Sequence, residues 1–335
     1  MATTFHGWAA RHPGALLEPY EFEPAPLGPH DVEVEITHCG ICHSDLHLVD
    51  GDWEVDTWPL VPGHEVVGHV VARGSAVSEH APGDRVGIGW QCGACLACEW
   101  CLAGDEPFCP EHRATCVGRP GGFADRIRVD ARFAFPLPEG LPAETVGPLM
   151  CGGATVWTPL REHGIDATSR VAVVGIGGLG HLAVRFAAAL GARVTAISHS
   201  ADKEDLAREL GAREFVLLEE GALRDAGRAF DLVLVTVPVA LDWPALARTV
   251  RPRGRMAFVG VVPGKVGVPV DALILGNRGI VGSQIAGRAR MREMLDFAAR
   301  EGIAAIVETF PLEEVNVALD RLRRNEVRFR AVLTR

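Results

Sequence analysis

Thiol, imidazole, hydroxyl and carboxylate side chains crowd into the stretch from Cys42 to Gly68. It opens Cys42-His43-Ser44-Asp45-Leu46-His47 and closes Gly63-His64-Glu65-Val66-Val67-Gly68. Cysteine and histidine are preferred ligands of zinc, so a metal site is the first expectation. A later thiol, Cys151, extends the donors to a Cys42, His64, Cys151 set. Three protein ligands with one position left open is the arrangement of a catalytic zinc. In the apolar run Leu149-Met150-Cys151, the same thiol also reads as ordinary buried packing. A second constellation, Cys95-x2-Cys98-x2-Cys101-x7-Cys109, places four thiolates in one loop, a closed set that predicts a structural zinc. Cys92 precedes Cys95 at the same spacing, but a set using it would leave Cys101 or Cys109 over. A nucleic-acid-binding zinc ribbon would want basic residues here, whereas this loop carries Glu99, Asp105 and Glu106.

A glycine loop offers different chemistry. Gly175-Ile176-Gly177-Gly178-Leu179-Gly180 follows the continuous apolar run Val171 to Val174 and precedes an apolar helix expected from about His181 to Leu190. Between a buried strand and a helix, Gly175-x-Gly177-x-x-Gly180 predicts a dinucleotide site. Gly175 permits the turn, Gly177 lets backbone approach a diphosphate, and Gly180 lets the helix pack on the sheet. The bland alternative is a purely structural set of glycines. The next strand, Arg193 to Ser198, ends where an NAD site usually places Asp or Glu; here stand Ser198, His199, Ser200 and Lys203. Hydroxyls and an ammonium accept a 2′-phosphate that a carboxylate would repel, so NADP(H) is expected ahead of NAD(H). Ser200 as a helix N-cap and Lys203 as a solvated cation are compatible with that reading.

The surrounding pattern supplies the frame. Residues 1 to about 150 are rich in Gly and Pro, with short alternating segments such as Val32-Glu33-Val34-Glu35-Ile36, Val66 to Val71 and Arg85 to Ile88. That predicts an irregular, mostly β domain. Beyond Cys151, strands at Val171–Val174, Arg193–Ser198, Phe215–Leu217, Asp231–Val237, Arg255–Val261 and Ile280–Ser283 alternate with helical stretches, one of them at about Asp202–Leu210. Alternation of this kind predicts an α/β domain with a doubly wound parallel sheet. The tail reads as helices over Met291–Arg300 and Leu312–Arg324 and a strand over Arg328–Leu333. A chain of 335 residues with 48% apolar content has ample material for two or three cores. Its formal net charge of −10 argues against a nucleic-acid face. With neither a leader pattern at Met1-Ala2-Thr3-Thr4 nor an apolar run of roughly 18 residues, the expectation is a cytoplasmic protein without membrane association. Nine cysteines, clustered and odd in number, favour metal binding over disulfides.

Gly63-His64-Glu65-x2-Gly68-x5-Gly74-x2-Val77 resembles the signature of zinc-containing alcohol dehydrogenases of the medium-chain dehydrogenase/reductase superfamily. Cys39-Gly40-Ile41-Cys42-His43-Ser44-Asp45-Leu46-His47, the four-cysteine loop, Gly175–His181 and the terminal Val327-Arg328-Phe329-Arg330 also match. Trp157-Thr158-Pro159-Leu160 and Ile197-Ser198-His199-Ser200 make it most similar to the cinnamyl alcohol dehydrogenase-like branch and its bacterial aldehyde-reductase relatives. The resemblance implies a GroES-like, mostly β catalytic domain over residues 1–152, a Rossmann cofactor domain over 153–284 and a return to the catalytic domain over 285–335. It implies Cys42, His64 and Cys151 as catalytic zinc ligands, with Glu65 beside the metal and Asp45 orienting His64. It gives His43 and Arg330 to the cofactor diphosphate and Thr155 to the nicotinamide. Many relatives carry Arg where His43 stands, which weakens that contact.

The implied reaction is hydride transfer between NADP(H) and a primary alcohol or aldehyde. The resemblance passes the proton from Ser44 through the nicotinamide ribose to His47, which meets solvent; a plain surface histidine is the alternative for His47. Trp53 and Trp90 fall where the family lines its substrate pocket, which suggests apolar or aromatic substrates, although both also suit core packing. Leu60 and Ile285 are secondary candidates. Cys39, Cys92 and Cys116 are expected as free thiols, and His69, His163 and His181 as structural or solvated. Two zincs per chain and a homodimer or homotetramer complete the expectation. Its rivals are an NAD(H)-preferring zinc enzyme of broad aliphatic specificity, a zinc-free reductase of the same superfamily, and a non-enzymatic zinc-binding regulatory protein.

Overall fold

The computed structural model describes residues 3–219, 221–223 and 229–335, so Met1 and Ala2, at which the reading of the N-terminus begins, lie outside the described residues. The chain forms two compact units, Met1–Cys151 with Ala286–Arg335, and Gly152–Ile285.

The first unit opens with an antiparallel hairpin, β1 (Phe5–Ala9) and β2 (Glu18–Phe22). Strand β3 (Asp31–Ile41) then leads to Cys42, with register irregularities near Glu33 and Ile36. Its Val32, Val34 and Ile36 are buried, as the alternation requires, and Glu35 is exposed. Glu33 departs from the pattern: it is buried because two guanidiniums neutralise it, Arg126 at 2.8 Å and Arg128 at 2.7 Å. A short helix, α1 (His43–Asp50), precedes β4 (Glu65–Arg73), which pairs antiparallel with β3. There follow β5 (Arg85–Ile88), β6 (Gln91–Gly93), α2 (Glu99–Ala103), β7 (Arg113–Ala114), β8 (Arg126–Asp130), β9 (Ala134–Pro136) and α3 (Ala143–Val146).

The second unit begins with α4 (Gly152–Glu162) and continues β10 (Arg170–Val174), α5 (Gly180–Ala189), β11 (Arg193–Ser198), α6 (Glu204–Glu209), β12 (Glu214–Leu217), β13 (Phe230–Val235), α7 (Trp243–Thr249), β14 (Val250–Phe258), α8 (Val270–Ile274) and β15 (Gly279–Gly282). Its six strands are all parallel, in the order β12-β11-β10-β13-β14-β15. This is the doubly wound arrangement, and its winding reverses between β10 and β13, where such sheets bind ligands at the carboxyl ends of the strands. Val171 to Val174 are fully buried, which accounts for an apolar run without alternation. Two expectations need correction. The helix expected over Asp202–Leu210 is a 3-10 turn, Ala201–Lys203, followed by a shorter α-helix. The strand expected from Arg255 begins five residues earlier, at Val250.

The tail rejoins the first unit. Helix α9 (Arg288–Glu301), β16 (Val307–Pro311), α10 (Val315–Arg323) and β17 (Arg330–Thr334) follow in order. Strand β17 pairs antiparallel with β3, setting Ala331 opposite Ile41 beside the first cysteine ligand candidate. The strand expected from Arg328 starts at Arg330 because Phe329 adopts a left-handed backbone, φ +71°, that interrupts extension. The helix expected from Leu312 starts as a 3-10 turn, Leu312–Glu314, before α10. No helix among the described residues is long and apolar enough to cross a membrane.

Candidate active site

Helix α1 and the β4 entry are tied together by one carboxylate. Cys42 is the extended residue before α1, and Gly51 ends the helix in the left-handed conformation, φ +80°. Leu46, Leu48 and Val49 anchor the helix in the core. Asp45, in its first turn, is completely buried. Its Oδ2 accepts from Cys42 N at 2.9 Å; its Oδ1 accepts from Gly63 N at 2.9 Å and from His64 Nδ1 at 3.0 Å. With Nδ1 donating, the His64 lone pair is on Nε2.

That Nε2 is buried and has no hydrogen-bond partner among the described residues. It belongs to a cluster of ligand-type atoms from Cys42, His64, Glu65 and Cys151, all within 4.8 Å of one another. A buried bare imidazole nitrogen among two thiols is costly unless something binds it. The donor set fits zinc. The Cys42 thiol is pulled well below its usual range by its hydrogen bond with Cys151, which favours the thiolate that a metal requires. Burial pushes Glu65 up to about 7 against the attraction of Arg330. Arg330, buried at the start of β17, donates through Nη2 to Glu65 Oε1 and so has a carboxylate partner inside this cluster. Gly40 is required beside it, since a Cβ there would lie 2.0 Å from Glu65 Oε2.

Ser44 Oγ lies 3.7 Å from Cys42 Sγ. His47, at the other end of α1, points Nδ1 at Asp52 Oδ2, 2.8 Å away, a partner that no motif signalled. Trp90 meets the His64 ring edge-on at 4.9 Å, and Trp53 meets Trp90 edge-on at 6.1 Å. Cys116 is also packed here, its thiol forming a second close group with Asp45 and His64. Burial raises the Cys116 pKa, so it sits as a neutral thiol against the ring. Sequence reasoning gave Cys116 no role, and its spacing carries no signal. Leu60 is buried in the core, its backbone paired with Ala10. Cys39 is buried as well, and Cys92 receives a contact from Arg119 Nη1 at 3.4 Å.

The four-cysteine loop folds into a thiol cage. Cys95 Sγ lies 3.5 Å from Cys109 Sγ and 3.9 Å from Cys101 Sγ. Backbone N–H groups of Ala97 and Cys98 point at Cys95 Sγ, 3.5 and 3.3 Å away, and lower its pKa to about 7. Leu96, left-handed at φ +59°, makes the tight turn that aims them. All four sulfurs lie within 4.8 Å of one another, a closed set that suits a tetrahedral thiophilic ion.

In the second unit the glycine loop follows β10. Gly175 is left-handed, φ +94°, and a Cβ on it would strike Val237 at 2.2 Å; one on Gly180 would lie 1.8 Å from Gly175 O. Gly177 differs, because a Cβ there would meet nothing within 4 Å. No atom of the described residues demands glycine at 177, so its open face is the part suited to a ligand's approach. Gly178 and Leu179 complete the turn into α5, where His181 Nδ1 lies 3.0 Å from Gly177 O. Past β11, Ser198 is buried and its Oγ accepts from Ser200 N at 3.2 Å; Lys203 Nζ donates to Ile176 O at 3.0 Å. Lys203 is therefore half-buried and held across the glycine loop. His199 is exposed, and Thr155 is buried on α4. His43 begins α1 exposed.

An alcohol dehydrogenase GroES-like domain matches residues 28–139, and a zinc-binding dehydrogenase domain matches residues 178–300. The chain is 40% identical over 328 residues to an aldehyde reductase of Synechocystis, covering 98% of both chains. It is likewise 40% identical to a probable cinnamyl alcohol dehydrogenase of Oryza sativa, covering 98% of this chain and 77% of the relative. A cinnamyl alcohol dehydrogenase structure from Sorghum bicolor superposes with a TM-score of 0.94 at 37% identity, covering 99% and 98% of the two chains. The corresponding Helicobacter pylori enzyme, solved with NADP(H), gives 0.92 at 30% identity, covering 100% and 99%. The chain belongs to the zinc-containing alcohol dehydrogenases of the medium-chain dehydrogenase/reductase superfamily, in the cinnamyl alcohol dehydrogenase-like branch, and with them to the enzymes that use zinc and a nicotinamide cofactor.

Proposed function

We propose that this chain is an NADP(H)-preferring, zinc-dependent alcohol dehydrogenase that reduces apolar and aromatic aldehydes to primary alcohols, or runs the reverse. The observation that carries the reading is the buried, unpartnered Nε2 of His64 among Cys42, Cys151 and Glu65. Cys42, His64 and Cys151 would hold the catalytic zinc, with Glu65, the carboxylate partner of Arg330, in the same cluster. Cys95, Cys98, Cys101 and Cys109 would hold a structural zinc. When bound, zinc supplies Lewis-acid polarisation of the carbonyl and the reduced nicotinamide supplies hydride. The chain's own part is orientation and proton supply. Asp45 fixes the His64 tautomer; Ser44 Oγ offers a proton to the substrate oxygen as it gains charge; His47 exchanges protons with solvent. Trp53 and Trp90 provide an apolar wall suited to a flat substrate.

Gly175 to Gly180 would seat the cofactor diphosphate, with His43 and Arg330 as further contacts and Thr155 near the nicotinamide. Arg330 would have to serve the cofactor while paired with Glu65. Ser198, His199, Ser200 and Lys203 would receive the 2′-phosphate. A preference for NAD(H) is the second reading, favoured by the hydrogen bonds that already occupy Ser198 Oγ and Lys203 Nζ. The catalytic role falls to residues 1–152 with 285–335, and the cofactor role to 153–284. A cytoplasmic homodimer or homotetramer is the assembly we propose. The test compares NADPH with NADH against cinnamaldehyde and short aliphatic aldehydes, alongside metal analysis. Preference for NADPH and cinnamaldehyde with two zincs per chain is expected; turnover unaffected by complete zinc removal would overturn the reading.

A further inference from the structure

His47 is held on two sides. Its Nδ1 lies 2.8 Å from Asp52 Oδ2, and a carboxylate only accepts, so Nδ1 carries a proton and Nε2 is left to exchange one. Asp52 is 62% exposed, and a contact of that kind competes with water and immobilises a ring poorly. The face of the ring is held differently. It stacks on the Trp53 indole, with centroids 5.2 Å apart and planes 25° from parallel. The Trp53 backbone is tied in turn to α1, since its N–H donates to His47 O at 3.3 Å. Its far side meets Trp90 at 6.1 Å, and Trp90 meets His64 at 4.9 Å. Four rings therefore run without a break from the buried ligand candidate to the histidine that faces solvent. The bulk of Trp53 suits a pocket wall, but an apolar wall does not require a parallel stack on a titratable ring.

We propose that Trp53 is a positioning residue for proton transfer: its indole fixes the plane of His47, so that the pocket wall also sets where the proton is exchanged. The proposal rests on the reading of His47 as the proton-exchanging residue. It assigns Trp53 a function separate from substrate fit, one that persists with substrates too small to touch the indole. The His47 ring stacks nearly parallel to the indole, whereas the next two contacts along the run, Trp53 with Trp90 and His64 with Trp90, are edge-on.

A double-mutant cycle tests it. Single-turnover reduction of acetaldehyde is measured for the wild type, Trp53→Leu, His47→Gln and the double variant. Trp53→Leu is expected to slow the step about tenfold with little change in KM, and Trp53→Phe to restore most of the rate; the loss is smaller than the roughly hundredfold or more that a general acid–base group itself contributes, because the ring is misplaced and not removed. In the His47→Gln background, Trp53→Leu should cost nothing further. The same cost in both backgrounds would make the indole merely structural and overturn the proposal. A His47→Gln variant with an unchanged rate would overturn the reading of His47 itself, and the proposal with it. Proton NMR gives an independent readout: His47 Hε1 should lie upfield in the wild type and Trp53→Phe, and return toward its ordinary position in Trp53→Leu. No movement in the leucine variant would remove the stack from the account.

Discussion

Asp45 accepts hydrogen bonds from Cys42 N, Gly63 N and His64 Nδ1, so one side chain sets the spacing of two ligand candidates that lie 22 positions apart. A buried carboxylate is costly unless its oxygens are occupied, and here both are. Asp45→Asn keeps the size but replaces one acceptor oxygen with a donor, which must then face an N–H. The expected result is a 10- to 100-fold loss of zinc affinity in chelator competition, the usual effect of disturbing a residue that orients a metal-bound histidine. An unchanged affinity would mean that the motif backbone alone holds His64. At the proposed cofactor site the residue to test is Ser198, whose hydroxyl is buried at the carboxyl end of β11. Ser198→Asp places a carboxylate where a ribose 2′-hydroxyl is wanted and a 2′-phosphate is repelled. The ratio of kcat/KM for NADPH over NADH should then fall by at least about tenfold, a shift of roughly 1.4 kcal/mol; an unaltered ratio would place the 2′-phosphate elsewhere.

Helix α9 shows how an element can depend on a residue far away in sequence. Its N-cap is Gly287, which has no side chain to accept from the first turn. Glu106, in the four-cysteine loop, does so instead: Oε2 accepts from Arg288 N at 3.0 Å and Oε1 from Arg288 Nε at 2.7 Å. Gly287 must be glycine for this, because a Cβ would lie 1.9 Å from Gly104 O and 2.7 Å from Glu106 Oε2. Glu106→Ala should lower stability by about 1–3 kcal/mol, as for other charged partners of buried hydrogen bonds. Amide exchange over Arg288 to Met291 should quicken while the cysteines keep their metal; protection unchanged there would refute the cap. None of this was legible beforehand, since Glu106 served in sequence only to argue against a basic zinc ribbon. What was legible had local periodicity or fixed spacing: the parallel strands of the second unit, the glycine turn and the thiol cage. Less legible were features decided by tertiary partners. Examples are the burial of Glu33 under two arginines, Phe329 in a left-handed backbone, the Asp52 partner of His47 and the burial of Arg330 against Glu65. Cys116 is the free thiol expected, but its place beside Asp45 and His64 had no sequence signature.

At the scale of the whole molecule, the six-stranded sheet of the second unit ends in β15, whose outer edge pairs with no other strand among the described residues. An unpaired edge strand presents free backbone donors and acceptors and is a ready template for another chain. The same unit exposes large apolar side chains on and beside α8: Val270 at 65%, Ile274 at 71% and Leu275 at 77%. Helix spacing sets Val270 and Ile274 on one face, and a monomer seldom leaves such a group in water without a use. Charge does not protect this edge, for β15 reads Gly279-Ile280-Val281-Gly282 with no lysine, acid or proline to blunt pairing. A second copy docking through the same elements about a two-fold axis would cover both features at once, since such an interface is self-complementary. Sedimentation should therefore give a mass about twice the 35.9 kDa of the chain, or a higher even multiple. Ile274→Glu combined with Leu275→Lys should shift micromolar samples toward the single-chain mass, while zinc content stays that of the native protein because both thiol sets lie in the other unit. A native protein that sediments as one 35.9 kDa species at every concentration would remove the interface from the proposal.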